Sequence, residues 1–472
     1  VVKRFLARQW GFAVVGAVAV APCLAADPCQ SCHPKEAAAW AQSGMAASFR
    51  PAGNEPDGEF TAAGTRFIAH GSSQRMDRAG ESSEHVVSWV IGSGKHASGY
   101  LVQNGGHLFQ SPVCYYSNRH RYDLAPGYER IAEPDFSRSV GEQCLLCHSA
   151  GARGEQSITC ERCHGPSEQH LRKPAPGSIV NPAKLSAAAR DSVCEQCHLA
   201  GAARVANPGR SFGDFRPGQT LEEVFTVYTR PPSGDFRVIS HAEQLRLSAC
   251  ARSSGGKLWC GTCHDPHPAA PVTIAGYNAR CGECHGGQRR QLPKAHPVET
   301  NCVGCHMPRR EARDGGHTVF TDHRIKPRAA PDGRDAPSDE LIAWRAPDPI
   351  LEQRNLGLAY IDAGVAARSP AQLVRGYRML AEVVESSPDD IAALRGIGRA
   401  LLLGKQPADG LRAFRRVLAH TPGDATSEED VGVACLEAGL IDEAIQHLEK
   451  ALEIDPLLLT ARTELGQARR LK

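Results

Sequence analysis

The chain has 472 residues, a length that suits two or three domains. Its net charge of +2 excludes the strongly basic surface of a nucleic-acid binder and the self-repelling composition of an acidic disordered chain. With only 6 % aromatic residues against 46 Gly and 32 Pro, the composition argues for loops in place of large sheets over the first two thirds.

Residues 1–26 read as an export signal. Lys3, Arg4 and Arg8 give a basic start, Trp10 to Val20 a short apolar stretch, and Ala25 and Ala26 small residues for cleavage. The apolar stretch is too short for a spanning helix, and no later segment is apolar enough, so no membrane span is expected beyond the signal.

The expected main domain, 27–326, opens with Cys29-Cys32-His33. A long interval without such a motif follows. It holds one expected β-hairpin, Tyr100 to Gln103 and His107 to Gln110 around Asn104-Gly105-Gly106. The Cys-x-x-Cys-His pattern then recurs at Cys144-Cys147-His148, Cys160-Cys163-His164, Cys194-Cys197-His198, Cys260-Cys263-His264, Cys281-Cys284-His285 and Cys302-Cys305-His306. Fourteen of the 18 cysteines are used in this way. Zinc ribbons and dithiol redox sites also use Cys-x-x-Cys, but neither requires His after every pair. His is 20 of 472 residues, yet it follows all seven pairs. The pattern is that of c-type haem attachment, in which two thiols bond the porphyrin and the His takes the iron. The expectation is therefore seven covalently attached haem c groups (iron), with their flat apolar plates filling the core. Their iron ligands would be His33, His148, His164, His198, His264, His285 and His306.

A second axial ligand is then needed at each six-coordinate iron. The candidates are His96, His170, His241, His267, His296, His317 and His323, with Met45 as a thioether donor. Met45 is also read as a packing residue, and His420 and His447 as surface or packing residues. No catalytic residue is assigned. Cys114 and Cys250 read as a disulfide or as buried free thiols, and Cys435 as core.

Residues 327–349, rich in Pro, Ala, Asp and Arg, read as a linker. In 350–472 three series repeat at 34 residues: Gly398, Gly432 and Gly466; Pro388, Pro422 and Pro456; Gly376, Gly410 and Ala444. That period resembles the tetratricopeptide repeat, giving about three repeats and a terminal helix. The stretch Ala366 to Leu373 reads as an insertion in the first repeat. The expected fold class is thus mainly α with extensive loops: a haem-filled multihaem cytochrome c domain carrying a small β-hairpin, followed by helical repeats.

The first domain also resembles a known superfamily. Cys302-Val-Gly-Cys305-His306-Met307-Pro308 with Thr321-Asp322-His323 is similar to the end of pentahaem nitrite reductases. Cys29 through Trp40-x-x-Ser43-Gly-Met45 is similar to the first site of the tetrahaem acceptors of hydroxylamine oxidoreductase. Gly92-Ser-Gly-Lys-His96-Ala, Cys160-Glu-Arg-Cys163-His164-Gly-Pro and Cys260-Gly-Thr-Cys263-His264-Asp-Pro-His267 resemble exported multihaem cytochromes with a repeat tail. The resemblance implies His323 as an axial ligand. The chain departs from the reductases in having no Cys-x-x-Cys-Lys, and it has no evident Tyr for the oxidase's crosslink. It therefore implies electron transfer between redox partner proteins in the periplasm or at the cell surface. The repeats would hold another protein or a second copy, and no nucleic acid is expected. The alternative is an enzyme with one open haem acting on a small nitrogen or sulfur compound.

Overall fold

The computed structural model describes residues 28–104, 106–150, 157–230, 236–267, 272–286, 301–326 and 338–472. The export signal, His296 and residues 327–337 of the expected linker lie outside these residues.

After the first motif and helix α1 (Pro34–Ala41), the chain enters a nine-stranded antiparallel sheet. Its strands are β1 (Phe49–Pro51), β2 (Gly58–Ala62), β3 (Thr65–His70), β4 (Ser73–Arg78), β5 (Glu81–Ile91), β6 (Ala97–Asn104), β7 (His107–Tyr116), β8 (Arg121–Leu124) and β9 (Arg138–Ser139). Strands β2 to β8 pair in chain order, while β1 pairs with β5 and β9 with β7. The sheet curls until its ends meet: the Tyr122 hydroxyl of β8 donates to the carbonyl of Pro56, 2.6 Å away, beside β2. The β6–β7 hairpin is present with Asn104 facing His107, but it is one part of this larger sheet.

The expected fold class is therefore corrected. The region between the first two motifs is a nearly closed antiparallel sheet, and side chains fill its interior. Phe67, Val87, Val90, Tyr100, Val113 and Tyr122 form one buried cluster. A second cluster joins Phe49, Leu101 and Leu108 to Leu145, which lies inside the second Cys-x-x-Cys-His. The sheet thus holds the second motif by its apolar middle.

Two turns explain why these strands were not foreseen. Ala63-Gly64 and Ala79-Gly80 both take positive φ at both residues (46° and 68°, 49° and 86°). That is the two-residue turn whose twist suits a hairpin, but with Ala where Asn or Asp usually stands. The strands they join are also polar: Ser73–Arg78 reads SQRMDR and has only Gln74 fully buried.

Short helices carry the remaining motifs: α2 (Glu142–Leu146), α3 (Glu161–His164), α4 (Glu168–Arg172), α5 (Ala187–His198), α6 (His241–Arg246), α7 (Ala249–Ser253), α8 (Cys260–Cys263), α9 (Ile274–His285) and α10 (Cys302–His306). Between them run β10 (Ala203–Ala206) and β11 (Phe225–Thr229); then follow β12 (Arg309–Glu311), β13 (Val319–Thr321) and β14 (Ile342–Ala343). Strand β14 pairs with β11, so the last part of the expected linker is built into a three-stranded sheet.

The C-terminal region is a tetratricopeptide-type array. The helix pairs are α11 (Glu352–Ala367) with α12 (Pro370–Ser386), α13 (Ile391–Leu403) with α14 (Pro407–His420), and α15 (Ala425–Glu437) with α16 (Ile441–Ile454). A single helix, α17 (Leu459–Leu471), closes the array. Small residues let each pair approach closely. A Cβ on Gly398 would sit 2.7 Å from Phe414, and one on Gly432 2.7 Å from Leu448. In the first pair the same contact joins Gly357 to Leu380, seven residues further apart in sequence. Seven residues are two helical turns, so the insertion is absorbed as longer helices with the packing face kept in phase.

The array is fixed to the rest of the molecule. Asn355, fully buried in α11, donates to Asn207 Oδ1 at 3.1 Å and Thr226 Oγ1 at 3.2 Å, and accepts from Arg354 at 2.8 Å. Tyr360, Ala359 and Ala363 share a buried cluster with Val205, Tyr228 and Leu341. At the far end, His107 Nε2 of the β6–β7 turn lies 3.3 Å from Asp455. Substituting Asn355→Leu strands its polar neighbours and is expected to cost about 2 kcal/mol. Limited proteolysis should then cut between the two parts faster than in the parent protein; an unchanged cleavage rate would show that the contact does not hold the array.

Candidate functional site

Each motif winds through about one helical turn, and on such a turn residues three apart share a face. In three motifs the His N–H donates to the carbonyl of the first Cys: His33 to Cys29 (2.8 Å), His164 to Cys160 (3.0 Å) and His264 to Cys260 (2.9 Å). The two thiols thus lie on one side, with the imidazole following directly.

Four motif imidazoles face a second imidazole from elsewhere in the chain. His33 stacks near His170 with centroids 6.4 Å apart and planes at 25°. His164 faces His267 at 5.9 Å and 26°, and His264 faces His323 at 6.0 Å and 35°. His198 meets His241 edge-on at 5.1 Å, and His241 in turn meets His323 at 4.6 Å. His198, His241, His323 and His264 thus form a continuous row. Several of these rings are clamped from behind. The Nδ1 atoms of His164, His306 and His323 lie 2.8, 2.8 and 3.0 Å from the carbonyls of Val180, Lys326 and Thr321. A carbonyl accepts only from an N–H, so in the neutral form of each of these rings the lone pair is on Nε2. Burial favours the neutral ring throughout the row. It lowers the pKa of His198 and His264, and brings His241 down to about 3 and His323 to about 4, with repulsion between neighbouring imidazoles adding to it. Asp322, fully buried, accepts from Arg310 at 2.8 Å and from the Arg324 N–H at 2.9 Å, which holds the His323 backbone in place.

The other candidates fall elsewhere. His96 packs against Phe320 at 4.6 Å. His317 sits edge-on to Tyr116, and its Nε2 lies 3.1 Å from Asp123. Met45 is half-buried, and its carbonyl accepts from Ser48 Oγ, which also donates to the carbonyl of His148. The backbone of Met45 therefore adjoins the second motif, although in sequence it follows the first. No second imidazole contacts the ring of His148 or His285 among the described residues.

The thiols of different motifs also adjoin. Cys197 donates to Cys147, which with Arg204 and Arg162 brings the Cys147 thiol down to about 6 and pushes Cys197 up. Cys194 and Cys260 form a second such pair, with the pKa of Cys194 raised and that of Cys260 lowered. Cys114 and Cys250 are free thiols and are not joined to each other. Burial pushes Cys114 up to about 12, and Cys435 is fully buried in α15.

The expectation of seven covalently attached haem c groups is corrected. Among the described residues no three of His, Cys, Asp and Glu gather as a metal-holding group, and side chains fill the apolar interior. What the geometry assembles among the described residues are pairs of imidazoles, those of His33, His164, His198 and His264 with a second ring.

Sequence reasoning missed the polar residues behind the motifs. Glu195, between the two cysteines of the fourth motif, is buried and accepts from Trp344 Nε1 (2.9 Å) and Arg345 Nη1 (2.7 Å). Arg345 also bonds Ser192 Oγ at 2.7 Å and Glu222 at 3.2 Å. The guanidinium of Arg246 lies 3.3 Å over the Trp344 ring. Trp344 and Arg345 immediately follow β14, and nothing in their local sequence signals the partner 150 residues earlier.

The chain matches no family model and no curated protein. Among solved structures it is similar to a MamA RS-1 double mutant (23 % identity, TM-score 0.22, 24 % of this chain and 65 % of that one). It is also similar to the first TPR domain of human RPAP3 (16 %, TM-score 0.22, 24 % and 91 %). A third is a mutant Thermobaculum terrenum O-GlcNAc transferase (22 %, TM-score 0.23, 27 % and 24 %). The chain spans just under two thirds of the MamA structure, and each match leaves about three quarters of this chain uncovered. Among the described residues no helix is long and apolar enough to cross a membrane.

Proposed function

We propose that this chain is an exported electron-transfer protein of the c-type cytochrome kind, working in the periplasm or at the cell surface. The observation that carries the reading is the set of imidazole pairs. At His33, His164 and His264, a motif ring faces a second ring about 6 Å away with the planes within 35° of parallel. A separation of that size leaves room for a flat redox centre with one imidazole on each side. The row from His198 to His264 would bring two such centres within contact distance, which suits electron hopping. The repeat array serves contacts with a redox partner protein or another copy of the chain.

The test is visible absorption of the full-length exported protein, oxidised and dithionite-reduced, with low-temperature electron paramagnetic resonance of the oxidised form. The expected result is a sharpened band on reduction and low-spin signals. A colourless protein with no spectral change on reduction overturns the reading.

A second reading is an enzyme with one open centre acting on a small nitrogen or sulfur compound. The observation favouring it is the second motif, where His148 is without a facing imidazole among the described residues. A high-spin signal lost on His148→Ala would support it.

A further inference from the structure

Two arginines converge beside the second motif. Arg162 comes from inside the third motif and Arg204 from β10, and both line one small pocket. Both are half-buried. Arg162 donates through Nη2 to the carbonyl of Leu146, but its buried Nε has no partner. Arg204 donates to the carbonyls of Gln196 (3.1 Å) and Leu199. Among the described residues neither has a carboxylate within salt-bridge distance. Glu243 senses Arg204 at longer range; its Oε1 accepts from the Gly201 N–H at 2.7 Å, its buried Oε2 has no hydrogen-bond partner, and burial raises its pKa towards the neutral form. Two half-buried like charges on one pocket favour the arrival of a counter-charge.

Space exists for that counter-charge. An inner pocket of about 20 Å³ is lined by Arg162, Arg204, Gln196 and Phe225. It shares Gln143, Leu146 and Phe212 as walls with an outer cleft of about 450 Å³ that reaches Cys144. The inner pocket admits little more than one water-sized group. It therefore suits the oxygen end of a small acid, with the rest of the ligand in the outer cleft.

We propose that this cleft is an anion-binding site, built by Arg162 and Arg204, for a small oxyanion head such as a carboxylate, nitrite or sulfite. Arginine presents a fork that matches two oxygens of such a head. The anion comes from solution.

The experiment compares the full-length purified protein with Arg162→Gln, Arg204→Gln and the charge-keeping Arg162→Lys. Isothermal titration uses nitrite, sulfite and acetate, and thermal unfolding confirms that every variant folds. Stoichiometric binding that weakens at least ten-fold in both Gln variants and partly returns in Arg162→Lys establishes the site. No binding to the parent protein, or binding that both Gln variants leave unchanged, overturns the proposal.

Discussion

Arg345→Ala should destabilise the protein by about 3–5 kcal/mol, the cost of leaving a buried carboxylate without its cation. Arg345 is the residue that joins Glu195, Glu222 and Ser192, and both carboxylates are at least nine-tenths buried. Their desolvation is tolerated only while the guanidinium is present. Urea unfolding would read the loss as a lower midpoint with an unchanged slope. A shift below about 1 kcal/mol would mean that the pair is hydrated or redundant. The same group has a signature in pH. Burial lifts the Glu195 pKa from 4.5 to about 7, although Arg345 and Trp344 pull it down. A carboxyl raised in the fold binds its proton more tightly there than in the unfolded chain. Its contribution to stability is therefore fully present below about pH 4.5, declines as pH rises to about 7, and is flat beyond. Glu195→Gln should remove this slope, which is on the order of 3 kcal/mol across the window. A stability–pH curve that the substitution leaves unaltered would show that Glu195 does not titrate there.

Gly398→Leu is the second large effect. The added Cβ alone would meet the Phe414 ring at 2.7 Å, and that ring is 1 % exposed and cannot swing away. Overpacking of this kind costs about 3 kcal/mol. It should melt the array ahead of the sheet, as a lower-temperature transition in calorimetry. The control is Gly466→Ala, at the same repeat position in α17, where the new methyl would meet only the end of Arg470 at 3.7 Å. There alanine's helix propensity should raise stability by about 0.5–1 kcal/mol. Equal losses at the two glycines would show that the repeat positions are not packed as described.

The contrast between these two glycines also shows what a sequence can and cannot reveal. The 34-residue period was legible because each repeat buries the same face by the same small-against-large contact. The motif positions were legible because Cys-x-x-Cys-His recurs with fixed internal spacing. His170, His241, His267 and His323 lie beside motif imidazoles. The sheet was not legible, because its tightest turns use Ala where Asn signals a hairpin, and because its strands bury one face of a polar sequence. Composition misled as well: a modest number of aromatics suffices when Tyr100, Tyr116, Tyr128, Tyr228 and Tyr360 are each wholly buried. The clamp on Glu195 and the arginine pair beside Cys147 depend on contacts between distant segments, which no local pattern encodes.

The two attachments of the repeat array, at Asn355 near its start and at Asp455 near its end, have a mechanical consequence. A solenoid held at one point swings like a pendulum; one held at both ends behaves as a strut. The segment entering its first helix is the one that presents Trp344 and Arg345 to the fourth motif. A bend in the array is therefore transmitted through Trp344 and Arg345 to the Glu195 carboxylate, between the two cysteines.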